Sequence, residues 1–242
     1  MNTKKMKKKI DNIRAIFFDI DDTLYDSTLQ VKNARENAIK AMKEAGLRVT
    51  EEKGLLILEE IVREFGSNYP YQFNELLKKL GYKFNPRIIA AGVAAYHSTK
   101  LAYLVPFPDT VPTLLGLRDS DYKLGVITDG ISVKQWEKLI RLGLQHFFHS
   151  VIISDDVGYE KPDDRIFKIA AKSIGYKPYE SIMVGDRIDR DISGANKAGM
   201  VTVRILKGKY KNQKPRNEME MPDYNIKNLM EILEILKIER KR

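Results

Sequence analysis

The sequence predicts an α/β protein, a doubly wound parallel sheet with a helical domain inserted after its first strand. Three observations carry that expectation. The apolar run Ala15-Ile16-Phe17-Phe18 ends in acids at Asp19, Asp21 and Asp22, which reads as a buried strand delivering carboxylates to its own end. From Thr110 onward strand and helix patterns alternate, as crossover units of a parallel sheet do. Between these two regions, residues 28–104 carry helical signals and no strand signal. The core is therefore assigned to 1–27 and 105–242, and the inserted domain to 28–104.

Each element has a local justification. Ser27 or Thr28 can cap a helix over 29–45, stopped by Gly46, a natural C-terminal glycine. A second helix starts at Thr50, with Glu51 and Glu52 in its first turn, and ends before Gly66. Acids there complement the positive helix end. A third helix is expected over 73–80, and a fourth from Asn85, as cap, with Pro86 at its first position. Pro106 and Pro108 stiffen the return to the core. There the expected elements are a helix to 118, a strand over 123–128, a helix capped by Ser132, and a strand over 150–154. They continue with a helix over 164–174, a strand over 181–185, a helix ending at Gly199, a fifth strand over 201–205, and a closing helix over 228–237.

Composition excludes several classes. The chain has 43% hydrophobic and 31% charged residues, ordinary for a globular enzyme. No apolar run approaches the roughly 18 residues of a membrane span. There is no cysteine, which excludes disulfides and thiolate chemistry. The N-terminal lysines lack the apolar core of a signal peptide, so the cytoplasm is the expected compartment. The net charge of +9 is spread along the chain and concentrated at Lys4–Lys9 and Arg240–Arg242. That distribution reads as solvated basic ends rather than a nucleic-acid surface.

The chemistry lies at the strand ends. Asp19 and Asp21 stand two apart, so an extended backbone turns both to one side. Thr128 follows the second strand, Lys161 lies in the loop after the third, and Asp186 and Asp191 follow the fourth. Singly, each reads as a turn, a solvated charge or a helix cap. Together they fall on one edge of one sheet, where open α/β proteins bind ligands. Carboxylates about 4 Å apart repel by roughly 4 kcal/mol per pair at an effective dielectric near 20, so such a cluster requires a cation. Oxygen ligands and an anionic partner favour Mg²⁺. Lys161 and the Thr128 hydroxyl supply donors for phosphoryl oxygens, and a carboxylate nucleophile beside a second acid suggests transfer through an aspartyl phosphate.

The set Asp19-Ile20-Asp21-Asp22-Thr23, then Thr128, then Lys161, then Gly185-Asp186-Arg187-Ile188-Asp189-Arg190-Asp191 resembles the four motifs of the haloacid dehalogenase superfamily. The helical insertion is similar to that family's type 1 cap. The resemblance implies Asp19 as nucleophile and Asp21 as general acid, then base. It implies Thr128, with Asp129 beside it, and Lys161 as the phosphate-binding set. Mg²⁺ is implied at Asp19, the main-chain carbonyl of Asp21, Asp186 and Asp191. Asp129 stands where many relatives have Asn, and Asp189 is one residue off the usual spacing.

The second acid discriminates within that family, because an alkoxide leaving group needs a proton and a halide does not. A Mg²⁺-dependent phosphatase is therefore expected, acting on a small phosphorylated metabolite, with a triose phosphate such as glyceraldehyde 3-phosphate or another sugar phosphate as the best guess. A phosphomutase, a 2-haloacid dehalogenase and a non-catalytic phosphate-binding protein are the alternatives. An insertion acting as a lid disfavours nucleic acids and phosphoproteins as substrates, and no membrane partner is expected. The oligomeric state is not legible. Tyr69, Tyr71, Tyr96, His97 and Lys100 are candidates for substrate contact, though core packing is the first reading of the aromatic ones. Trp136, His146 and His149 read first as packing residues.

Overall fold

The computed structural model describes residues 10–238; the basic segments Lys4–Lys9 and Arg240–Arg242 lie outside them. The chain divides into two compact units, one formed by the described residues up to Ser27 with those from Leu104 on, the other by Thr28–Tyr103. No helix among the described residues is long and apolar enough to cross a membrane.

The first strand, β1 (Ala15–Phe18), is buried along its whole length. The helical unit follows, with α1 (Ser27–Glu44), α2 (Glu51–Phe65), α3 (Gln72–Lys79) and α4 (Pro86–Ala102). Thr50 accepts from the Lys53 N–H at 3.3 Å and Asn85 from the Ile88 N–H at 3.3 Å, so side chains satisfy donors that a helix start leaves orphaned. Ile39, Met42, Leu58, Ile61, Phe73 and Leu76 make this unit's own core, each contributing about 1.5–3 kcal/mol by burial. Tyr96 belongs to that core and meets Phe73 edge-on at 5.8 Å, so its reading as a packing residue holds.

The sheet unit resumes with α5 (Thr110–Arg118), β2 (Lys123–Thr128), α6 (Ser132–Arg141), β3 (Ser150–Ile153), α7 (Ser154–Val157), α8 (Asp164–Ser173) and β4 (Ser181–Gly185). It ends with α9 (Ser193–Ala198), β5 (Val201–Ile205), β6 (Tyr224–Ile226) and α10 (Glu231–Ile235). The strand order is β3-β2-β1-β4-β5-β6, and every pairing is parallel. Ile16 and Phe18 enter one core cluster, Ala15 and Phe17 a second, so β1 is apolar on both faces, as a doubly covered parallel strand must be.

Local details depart from the sequence expectations. A sixth strand, β6, closes the edge: three residues at the end of a polar loop leave little alternating pattern to read. Short α7 follows β3 directly, and the closing helix is only Glu231–Ile235. Ser132 begins α6 rather than capping it, and its backbone N–H is taken by Asp155 at 3.1 Å. Trp136 is 39% exposed instead of packed. After β4 the chain first forms a π-helical turn, Ile188–Ile192, a geometry often found at functional sites.

Candidate active site

The topology places the chemistry. From β1 the chain builds outward through β2 and β3 on one side, and through β4, β5 and β6 on the other. The switch point, where crossovers diverge and leave a crevice, is therefore beyond the C-terminal ends of β1 and β4. Asp19 leaves β1 there, its N–H donating to the Val184 carbonyl at 2.9 Å, and Asp186 leaves β4 beside it.

The π-helical turn brings the third acid back. The Asp191 and Ile192 N–H groups both donate to the Arg187 carbonyl, at 2.9 and 3.2 Å, and Asp191 Oδ2 accepts from the Arg187 N–H at 3.0 Å. This folds the Asp191 carboxylate over Gly185, where any Cβ would collide with it. Asp19, Asp186 and Asp191 thus present ligand oxygens within 4.8 Å of one another, and all three are buried.

Lys161 bridges the cluster. Its Nζ donates to Asp19 Oδ1 at 2.6 Å, to Asp191 Oδ1 at 2.6 Å and to the Ile127 carbonyl at 3.2 Å. Burial opposes its charge, but Asp19, Asp191 and Asp129 outweigh that and raise its pKa, so it stays an ammonium. Burial raises the pKa of Asp19, helped by Asp191 and Asp21 and opposed by Lys161. Burial also raises that of Asp186, with Asp191, Asp19 and Asp22 adding to it. When ionised, the three carboxylates exceed the one ammonium by two negative charges, in a site of oxygen donors. That deficit and donor chemistry fit a divalent hard cation.

Thr128 ends β2 at 1% exposure, its hydroxyl 3.4 Å from Gln135 Oε1. Asp129 does something more specific than the sequence indicates. Its Oδ1 accepts from the Lys161 backbone N–H at 2.9 Å and its Oδ2 from Arg190 at 3.0 Å. The carboxylate ties three strand-end loops together. Asp21 points elsewhere than the trio. Tyr25 donates to its Oδ1 at 2.6 Å, and Lys138 Nζ lies 2.8 and 2.7 Å from its two oxygens. Asp189 pairs with Arg187 at 2.7 Å, outside the cluster.

Sequence reasoning missed Arg190, Gln135, Lys138 and the Tyr25 hydroxyl. Gln135 also donates to the Asp129 carbonyl at 3.0 Å. One signal was available: Gln135 and Lys138 are polar residues one turn apart, on the side of α6 that carries buried Leu139, where apolar residues are the rule.

Fold and site together define a class, an α/β protein whose strand-end crevice is lined by clustered carboxylates and the buried Lys161. The family model for haloacid dehalogenase-like hydrolases matches residues 16–205, and the chain belongs to that family. It is 52% identical over 227 residues to the glyceraldehyde 3-phosphate phosphatase of Methanopyrus kandleri, covering 93% of this chain and 97% of that one. It is 46% identical to the enzyme of the same name from Pyrococcus furiosus, covering 94% of each. Among solved structures, a haloacid dehalogenase-type (HAD) phosphatase from Thermococcus onnurineus is similar, with a TM-score of 0.64 and 28% identity over 95% of this chain and all of that one.

Proposed function

We propose that this protein is a Mg²⁺-dependent phosphatase that hydrolyses glyceraldehyde 3-phosphate through an aspartyl-phosphate intermediate. The observation that carries the reading is the buried trio Asp19, Asp186 and Asp191 with the Lys161 ammonium held between two of its members, 2.6 Å from each. The substrate rests on the similarity to phosphatases so named, at 46–52% identity.

In this mechanism an Asp19 carboxylate oxygen attacks phosphorus, and the bond from phosphorus to the ester oxygen breaks with its electron pair leaving on that oxygen. Asp21 delivers a proton to it. Asp21, now a carboxylate, takes a proton from water as that water attacks the phosphoaspartate, which regenerates Asp19 and releases inorganic phosphate. Lys161 and the Thr128 hydroxyl donate to the phosphoryl oxygens. Asp19, Asp186, Asp191 and the Asp21 main-chain carbonyl would hold Mg²⁺, which when bound neutralises charge and polarises the phosphoryl group. Asp129 keeps the loops bearing Thr128 and Lys161 in register through the bonds described above.

The test is a substrate panel with purified protein and Mg²⁺: glyceraldehyde 3-phosphate, glycerol 3-phosphate, phosphoglycolate, hexose phosphates, nucleotides, a phosphopeptide and 2-chloropropionate. The highest kcat/KM is expected for glyceraldehyde 3-phosphate. A higher value for the phosphopeptide, or halide release from 2-chloropropionate, would overturn the assignment.

A further inference from the structure

We infer that Lys138 is a positioning residue for Asp21, holding the proton-transferring carboxyl in place through a contact between α6 and the turn after β1. The inference deepens the function proposed above and rests on its reading of Asp21 as the general acid.

Asp21 lies two residues beyond Asp19, on the turn after β1. Its side chain is 42% exposed, so nothing in its burial sets its direction. Two donors hold it, one from α6 and one from the same turn. Lys138 Nζ reaches both carboxylate oxygens, at 2.8 and 2.7 Å, and the Tyr25 hydroxyl reaches Oδ1 at 2.6 Å. Tyr25 is fully buried, and burial together with the neighbouring Asp21 raises its pKa. Its hydroxyl donates to the Asp21 carboxylate from inside the core. Lys138 stands one turn after Gln135, which meets Thr128 and the Asp129 carbonyl. One face of α6 thus governs the strand ends of β1 and β2 at once.

Folding does not account for Lys138. A partly exposed ion pair adds little to stability, and the fully apolar alternative is available on an amphipathic helix. Catalysis does account for it, because general acid transfer demands a carboxyl held within hydrogen-bond reach of the leaving oxygen. As the ester bond breaks, the proton passes from Asp21 to that oxygen, and the carboxylate left behind remains held by the Lys138 ammonium and the Tyr25 hydroxyl until water arrives.

The dependence on leaving group separates this role from a structural one. p-Nitrophenolate is a weak base that leaves with little protonation, whereas the alkoxide of glycerol 3-phosphate requires a proton. With Mg²⁺, Lys138→Met should lower kcat/KM for glycerol 3-phosphate by about 10- to 100-fold, through kcat rather than KM, and lower that for p-nitrophenyl phosphate far less. Lys138→Arg should recover most of the loss, and Tyr25→Phe should show the same selectivity with a smaller effect. Equal losses on both substrates in Lys138→Met and Tyr25→Phe would overturn the inference, as would full activity on the alkyl ester. Asp21→Asn, measured beside them, isolates the underlying reading. If it retains alkyl-ester turnover, the general acid is misassigned; if it loses that turnover while Lys138→Met keeps it, only the role of Lys138 fails.

Discussion

Lys161 Nζ and Asp19 Oδ1 stand 2.6 Å apart although 142 residues of sequence separate them. The pair joins the loop between α7 and α8 to the end of β1. Through the second bond to Asp191, it also fixes the spacing of the acids on either side.

Lys161→Met should therefore act on chemistry and stability together. Loss of a donor to the phosphoryl group is expected to cost about 10²- to 10³-fold in kcat. Removing the cation leaves its carboxylates buried and unpaired, which destabilises the metal-free protein by roughly 3–5 kcal/mol. Urea unfolding in EDTA measures the second effect, and Mg²⁺ should restore part of it by binding the exposed deficit of charge.

Asp19→Asn is expected to abolish turnover without loss of fold. An acid-labile phosphoenzyme should form in the native protein and be missing from the variant. In metal-free buffer the variant should melt no lower than the parent, because a buried repulsive carboxylate has been neutralised. Steady phosphatase activity in Asp19→Asn would rule out the covalent route.

The pH dependence of the metal-free protein follows from the same crowding. Burial, with neighbouring acids, pushes Asp19 up to about 7 and Asp186 up to about 9, from 3.8 in each case. Folding thus favours their protonated forms. Their contribution to stability is complete below pH 3.8 and is lost as pH rises through about 7 and then about 9. Lys161 stays charged throughout that window and does not alter the trend. The melting temperature in EDTA should fall as pH climbs from neutral into the alkaline range, and saturating Mg²⁺ should flatten that fall. A melting temperature in EDTA that rises over this window would contradict the charge assignment.

Gly185→Ala tests the π-helical turn. The added methyl occupies the space of the Asp191 carboxylate, so the turn must shift and Asp191 must leave Lys161. Activity should drop by at least about 10²-fold, as misplacement by an ångström does, and Mg²⁺ affinity should weaken, read by titrating activity against the metal. Gly143→Ala is a contrasting control for the fold alone, since its cost comes from a positive φ of 69° with no atom within 4 Å.

Much of this molecule was legible locally. Thr50 and Asn85 announced their helix starts because capping is a contact between residues three apart. The end of β1 announced itself because an apolar strand covered on both faces changes abruptly to acid where it leaves the sheet. The acids at the ends of β1 and β4 and Lys161 after β3 could be named as one set, since alternating strands and helices put every strand end of a parallel sheet on the same edge. The shortness of α10, the existence of β6 and the π-helical turn were not legible. Three- to five-residue elements carry too few periods to be read, and their form depends on what they pack against.

The sequence alone thus settles which residues stand at the ligand edge and what chemical types they are, because strand pattern and chain order depend on near neighbours. It does not settle which side chain meets which. Asp129 reads as a phosphate-site residue in sequence, and only the fold shows that its carboxylate accepts from the Lys161 N–H and from Arg190. Lys138 reads as one more surface lysine, yet it closes on Asp21 from 117 residues away. Those pairings are set by strand order, by the roll of α6 on the sheet and by a buried demand for charge balance, all of which exist only once the chain is packed.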